Sequence, residues 1–366
     1  QMEPVATAQY SYFDTDDQRV VGHRVYAEAG LTYPMLWSQG FLRPEVKYRH
    51  LQYDLSDSVI ESADERPSAG TAVVNLDGGL YFERSTSFAG EGLLQTLEPR
   101  LYYLYADYDD QRSHPDFDTA ELTFNYNQLF RDTRFSGRDR LDDANQLALG
   151  VTTRFINEED GREQLSASLG TIFYFQDRRV RLDPVDQPLD SPTSELAGEL
   201  RFNPNVRTTL RTSVVWDPDS GNVNSANFTA GYITDDNEIY NIGYTFRRPI
   251  TLIGEQPVTE QLHLSAFVPI STHWNAFMSW NYSLEAQTSV EDMIGVEYDS
   301  CCWKLRLLHL RYFDTVPGGT NDFNNPDLER ERSTQVQIIL KGLGGFGDRV
   351  EGLLEDMIRG YEDREY

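Results

Sequence analysis

The sequence predicts an all-β chain, a transmembrane antiparallel β-barrel of the outer-membrane kind, and three observations carry that reading. About sixteen segments alternate apolar and polar residues with a period of two, the mark of strands with one apolar and one wet face. No run approaches the roughly 18 apolar residues of a membrane-spanning helix, which excludes a helical membrane protein but not a barrel, whose strands signal more weakly. Read back from the C-terminus, connections alternate between short and long, as turns on one side of an outer membrane and loops on the other would.

Taken in order, strands are expected near Val5–Phe13, Arg24–Leu36, Phe41–Leu55, Thr71–Phe82 and Leu93–Asp107. The longest connection, Tyr108 to Asn145, follows, and within it Phe117–Leu122 is expected to form a loop helix capped near Asp118. Gln146–Phe155 is a clear case of alternation: Leu147, Leu149, Val151 and Phe155 face opposite to Gln146, Gly150, Thr152 and Arg154. Next come Gln164–Phe175, Glu195–Phe202, Arg207–Trp216, Asn222–Thr234, Glu238–Arg247, Gln261–Val268, Trp274–Leu284 and Glu291–Tyr298. A closing hairpin runs from Trp303 to Tyr312 and from Ser333 to Leu343, its first arm changing parity at Leu308. In its second arm Val336, Ile338 and Leu340 face opposite to Gln335, Gln337 and Lys341. A short helix is expected over Asp348–Arg359, so residues 1–344 read as barrel without an internal boundary and 345–366 as a tail. The chain enters mid-pattern with no visible export signal, which reads as a fragment of a longer precursor. Periodicity alone fits a soluble secreted sandwich equally well; the rhythm of connections favours the barrel. Aromatics near strand ends, Trp37, Tyr102, Tyr103, Trp216, Trp274, Trp280 and Trp303, suit an interfacial girdle.

A formal net charge of −27, from 59 acidic and 32 basic residues, repels nucleic acid. The acids gather between strands, at Asp14–Asp17, Asp107–Asp110 and Glu158–Asp160, as solvated turns or as acidic outer loops that share divalent cations with an anionic lipid surface. Signals for catalysis are weak. His23, His50, His114, His263, His273 and His309 are scattered, and there is no P-loop and no nucleophile elbow. Asp217–Asn222 looks superficially like a calcium loop, but Phe228 stands where a bidentate Glu is required, so a hairpin turn is expected. Asp183 and Asp186 lie in a proline-rich loop. The chain is therefore expected not to be an enzyme and to hold no cofactor or metal.

The two cysteines, Cys301 and Cys302, are adjacent. Their Cα atoms are about 3.8 Å apart, below the usual range for bridged residues, so each is either a reduced, half-buried thiol or paired elsewhere. The stretch Val296–Cys302, the Leu340–Gly344 end of the last strand and the helical tail resemble the C-terminus of the LptD family of outer-membrane lipopolysaccharide-assembly proteins. Gln95–Tyr103, Leu129–Asp132, Gly137–Arg140 and Ala144–Gln146 are similar to that family's mid-barrel signature.

The resemblance implies insertion of lipopolysaccharide into the outer leaflet of the outer membrane of a Gram-negative bacterium, the rival being a porin-like channel. It also implies an LptE-type plug lipoprotein in the lumen, a periplasmic Lpt bridge reaching an absent N-terminal domain, and disulfides from Cys301 and Cys302 to that domain. Arg154, Arg207, Arg211, Asn241 and Gln337, on wet faces, are expected to line the lumen. The last strand, including Thr334, Gln335, Val336, Gln337, Ile338, Ile339 and Leu340, is expected to form one side of a lateral gate, since the acyl chains of an amphiphile belong in bilayer.

Overall fold

A strand with one polar and one apolar face folds only if each face meets the medium that suits it, and here the usual assignment is reversed. In this computed structural model residues 1–14, 20–56, 65–88, 90–182, 189–248, 258–313, 329–342, 344–347 and 350–362 are described. The chain divides into two compact units, one of Gln1–Gly161, Ala167–Gly198 and Asp217–Asp219, the other of Arg162–Ser166, Glu199–Trp216 and Ser220–Tyr366.

In the first unit the strands are β1 (Glu3–Phe13), β2 (Val21–Thr32), β3 (Met35–Trp37), β4 (Gly40–Ser56), β5 (Ser68–Leu80), β6 (Phe82–Phe88), β7 (Glu91–Ala106) and β8 (Ala144–Asn157). β9 (Glu163–Tyr174) lies mostly in the same unit. Antiparallel ladders run β1–β2–β4–β5–β7–β8, with β3 on β4 and β6 on β7. The expected single strand Arg24–Leu36 is two, because it breaks at Tyr33–Pro34, where proline offers no N–H to a ladder. The second unit carries most of β10 (Leu196–Asn205) and β11 (Thr208–Asp217). It continues with β12 (Asn222–Ile233), β13 (Ile239–Arg247), β14 (Thr259–Pro269), β15 (Trp274–Ser283), β16 (Thr288–Asp299), β17 (Trp303–Phe313), β18 (Arg330–Leu340) and β19 (Gly344–Gly347). Its ladder from β12 to β19 is antiparallel throughout, and the short helix α1 (Glu351–Met357) follows.

One face of each strand set is exposed and apolar: Val25, Leu31, Val46, Tyr48 and Val74 in the first unit, Ile242, Ile294, Val296, Leu307, Val336 and Ile338 in the second. The buried face carries charge, with Arg24, Lys47, Arg49 and Asp77 in one unit and Glu297, Lys304 and Arg306 in the other. That inversion is what a transmembrane barrel needs and what water would penalise, so the predicted fold class is the one observed. No helix among the described residues is long and apolar enough to cross a membrane.

Three expectations are corrected. The residues Phe117–Leu122 are not helical; a 3-10 turn occupies Tyr126–Phe130 instead, capped by the Asn125 side chain. Asp118 cannot serve as a cap, because its carboxylate is held by Arg24 and its N–H donates to Asp139. The parity change at Leu308 does not occur: β17 keeps continuous register with both neighbours, and Lys304, Arg306, Leu308 and Leu310 are all buried on one face. Nor does the tail leave the sheet at residue 345: the chain turns back through Lys341–Gly342, and β19, Gly344–Gly347, pairs with Gln337–Leu340 of β18.

Candidate functional site

The connection between β7 and β8 folds onto the charged face of the first unit, and the two Arg-Asp motifs hold it there. Asp139, fully buried, accepts from Arg24 Nη1 at 2.6 Å, Tyr53 OH at 2.7 Å and the N–H groups of Phe117 and Asp118 at 2.8 and 2.9 Å. Asp132 pairs with Lys47 and, at 2.7 Å, with Arg49, while Arg49 also meets Glu28 at 2.6 Å. Arg140 donates to the carbonyls of Pro115, Arg181 and Leu182, and Arg138 lies over the Tyr26 ring. Gly137 has φ +64, and a Cβ there would sit 2.5 Å from the Asp118 carbonyl oxygen, so only glycine fits between the motif's ends. On the wall, Gly150 and Gly170 leave room for Phe130 and Leu129 of the 3-10 turn. Asp16, Asp17, Asp183 and Asp186 lie outside the described residues.

Burial works against the charged Asp139 carboxylate, yet the Asp118 N–H, Tyr53 and Arg24 outweigh it and hold the carboxyl below its ordinary range. Asp132 is lowered likewise, Arg49 and Lys47 overcoming its burial. A depressed carboxylate stabilises above its unfolded pKa and loses that contribution as pH falls through the folded value. His114, buried and lowered, is destabilising once pH drops below about 6.5, where only the undocked form takes up the proton readily. The connection is thus expected to stay docked at neutral pH, to loosen modestly towards pH 5 and to lose its carboxylate hold progressively as pH falls from about 4 towards the depressed folded values of Asp139 and Asp132. Electron paramagnetic resonance of a spin label at the exposed Ser113 should report the gain in mobility; unchanged spectra down to pH 3 would show that these charges do not hold the loop.

In the second unit an unexpected occupant covers the inner face. Val350, Leu354, Met357, Ile358 and Tyr361 of the tail pack on Ile239, Phe277, Met293, Leu308 and Leu310. Beside this apolar contact, buried Arg306 bonds Glu297 at 2.6 Å, Gln337 at 3.1 Å and Tyr361 OH at 3.2 Å. Asn241 donates to the Arg359 carbonyl at 3.0 Å and Arg359 donates to Thr229 at 2.8 Å.

Of the wet-face residues named by the sequence, Gln337 and Asn241 are therefore on the inner face against the tail. Arg154 sits on the buried side of β8, 3.0 Å from Glu98, and Arg211 shares the inner parity of buried Val215. Arg207 does not belong to a wall: it lies in the exposed turn after β10 and pairs with Asp235. Trp37, Trp216, Trp274 and Trp303 are exposed, as a girdle requires, whereas Tyr102 is buried under the docked connection.

Cys301 and Cys302 form the turn between β16 and β17, and both are exposed rather than half-buried, with Sγ atoms 2.9 Å apart. The Cys302 thiol stabilises a thiolate on Cys301, with Ser300 and nearby Lys341 helping, so Cys301 ionises more readily than an ordinary thiol and Cys302 less. In reduced protein Cys301 is expected to alkylate several-fold faster than Cys302 with iodoacetamide near pH 7.5, read by peptide mass spectrometry; the reverse order would overturn this pairing.

β18, the strand of Thr334–Leu340, pairs with β17 along its whole length. On its other side only Gln337–Leu340 are paired, with β19, so among the described residues Arg330–Val336 has no partner there.

The family model for LptD, LPS transport system D, matches residues 2–274. The chain belongs to the LptD family. An LPS-assembly protein LptD of Pseudomonas aeruginosa is 37% identical over 95% of this chain, and one of Xanthomonas oryzae is 35% identical over 93%. The chain spans 41% and 42% of the length of those two relatives. Among solved structures, the siderophore receptor PirA of Acinetobacter baumannii aligns with a TM-score of 0.41 at 8% identity, covering 88% of this chain and 57% of that one. In LptD terms, the Gln95–Tyr103, Leu129–Asp132 and Gly137–Arg140 stretches are the residues that hold the β7–β8 connection to its wall, a role no periodicity discloses.

Proposed function

We propose that this LptD-family chain is the barrel part of an outer-membrane translocon that passes lipopolysaccharide sideways into the outer leaflet. It acts as a transporter and not as an enzyme. The observation that carries the reading is the inverted sheet, apolar outside and charged inside. Sugars and phosphates travel along the polar inner face, while acyl chains, costly to carry there, leave between strands. The seam where β18 meets the first strand of the full-length barrel is the natural exit, since closure there depends on pairing between chain ends. An LptE-type lipoprotein in the lumen and a periplasmic Lpt bridge are the partners this reading calls for. The exposed Cys301–Cys302 turn suits disulfides to a domain in the periplasm, where such bonds persist.

Stapling tests the gate. Because β19 already covers Gln337–Leu340, the cysteine belongs higher, at Gln335, opposite a cysteine on the first barrel strand of the full-length protein. Oxidation is expected to reduce surface delivery of lipopolysaccharide at least tenfold, and reductant to restore it. Undiminished delivery through a fully oxidised staple would sink the gate.

A further inference from the structure

The exposed face of β15–β18 is apolar for most of its height and then changes character. Three consecutive pairings bring Trp280, Asp292, Arg311 and Arg332 into one row across four strands. A cavity of about 570 Å³ opens at this row, lined also by Met278 and Ile294, which are 47% and 65% exposed. The hollow lies beside an irregularity: Asn281 pairs with Glu291 and Tyr282 with Ser289, so Val290 is an extra residue on β16, and such a bulge bends its strand.

The charge here runs against the rest of the molecule. On a chain of net charge −27, Arg311, Arg330 and Arg332 meet, among the described residues of this row, a single outward carboxylate, Asp292, which Arg311 engages at 2.7 Å. Arg330 is occupied by Thr288 Oγ1 and the Ser289 carbonyl. Arg332 is exposed and makes no ion pair among the described residues, and Glu331 alternates to the other face. His309, also at the cavity, shares its ring nitrogen with Thr334.

Depth decides what such a site can meet. Arg311 is eight residues along β17 from Trp303 at the cysteine turn, about 27 Å of strand. At the tilt of barrel strands that is about 20 Å of height, close to the far rim of an apolar band about 25 Å tall, where an arginine costs little and lipid phosphates reside. We propose that this cavity binds the phosphate-bearing head of a membrane lipid, Arg332 and Arg311 taking the phosphate and Met278, Trp280 and Ile294 lying against the first apolar segment. The proposal rests on reading this face as membrane-facing, not on the direction of lipopolysaccharide transport. Its place beside β18 would give a lipid leaving that seam an immediate electrostatic foothold in the leaflet it enters.

The test uses full-length protein extracted from vesicles of phosphatidylcholine containing about one-tenth phosphatidic acid, with retained lipid counted by mass spectrometry after delipidation. Wild type is expected to keep phosphatidic acid in preference to phosphatidylcholine. R332Q should lower that retention about tenfold and R332K only slightly, since a lysine keeps the charge but not the fork. I294S, which leaves every charge in place, should weaken it several-fold. Heat-modifiable migration shows that each variant is folded, and the exposed Arg332 head makes loss of fold in R332Q unexpected. Equal retention by wild type and R332Q overturns the proposal. So does displacement of phosphatidic acid by millimolar inorganic phosphate, which would mark a site for free phosphate rather than for a lipid. Retention is read on purified protein, so a failed gate and a failed lipid site give separate results.

Discussion

Asp139→Ala is expected to destabilise the first unit by about 3–5 kcal/mol and to release the β7–β8 connection from its wall, the range found when one partner of a buried ion pair is removed. The carboxylate is fully buried and accepts from Arg24, Tyr53 and two backbone N–H groups. Without it, Arg24, itself 1% exposed, keeps Asp118 as its carboxylate partner among the described residues, and the Tyr53 hydroxyl and both N–H groups lose this acceptor. Asp139→Asn keeps one acceptor oxygen but no charge and should fall between wild type and alanine. The measurement is the urea midpoint for loss of heat-modifiable migration, paired with protease cutting between residues 107 and 143. A shift worth less than about 1 kcal/mol, with the connection still protected, would show that packing of Leu129 and Phe130 docks the segment without the charges.

The second large effect is expected at the tail. Leu354 and Ile358 are fully buried, one helical turn apart, against Leu308, Leu310 and Met293. Truncating either to alanine removes its burial and leaves a cavity, about 2–5 kcal/mol each; as neighbours sharing contacts, the pair should cost less than the sum. The inner wall of the second unit does not depend on the tail for its ladder, so the double variant should keep heat-modifiable migration while residues 350–361 lose hydrogen-exchange protection by orders of magnitude. Tyr361→Phe, which deletes the hydroxyl that Arg306 donates to but keeps the ring, should do far less, about 1 kcal/mol. If the double variant leaves protection of the tail unchanged, the hydrophobic cluster is not what seats it. If instead migration is lost, the tail is part of the barrel's own stability and not an occupant of its inner face.

Reading along one strand determined a good deal. Alternation at Leu147–Phe155 and Gln335–Lys341 showed which residues share a face, because side chains in a strand point to opposite sides with a period of two whatever surrounds them. The same local rule placed Gln337 and Asn241 on one face and Val336 and Ile338 on the other. It failed where the residue was not in a strand at all, as at Arg207, one position outside its ladder. It also misread β17, where apolar Leu308 and Leu310 follow polar Lys304 and Arg306 on the same face. The sequence suggested a change of parity there; the structure shows a change of neighbour. A strand's own pattern records what each face touches, and here the lower half of the inner face meets the Glu297–Arg306 ion pair while the upper half meets a helix more than forty residues further along. Likewise, the Arg-Asp motifs were visible as family marks, but their partners, Arg24 with Asp139 across a separation of 115 residues, are brought together by the register of strands and by a glycine at φ +64. Local periodicity follows from backbone geometry alone; the pairing of distant charges and the covering of an apolar patch depend on which segments the folded chain places opposite one another, and that only tertiary structure decides.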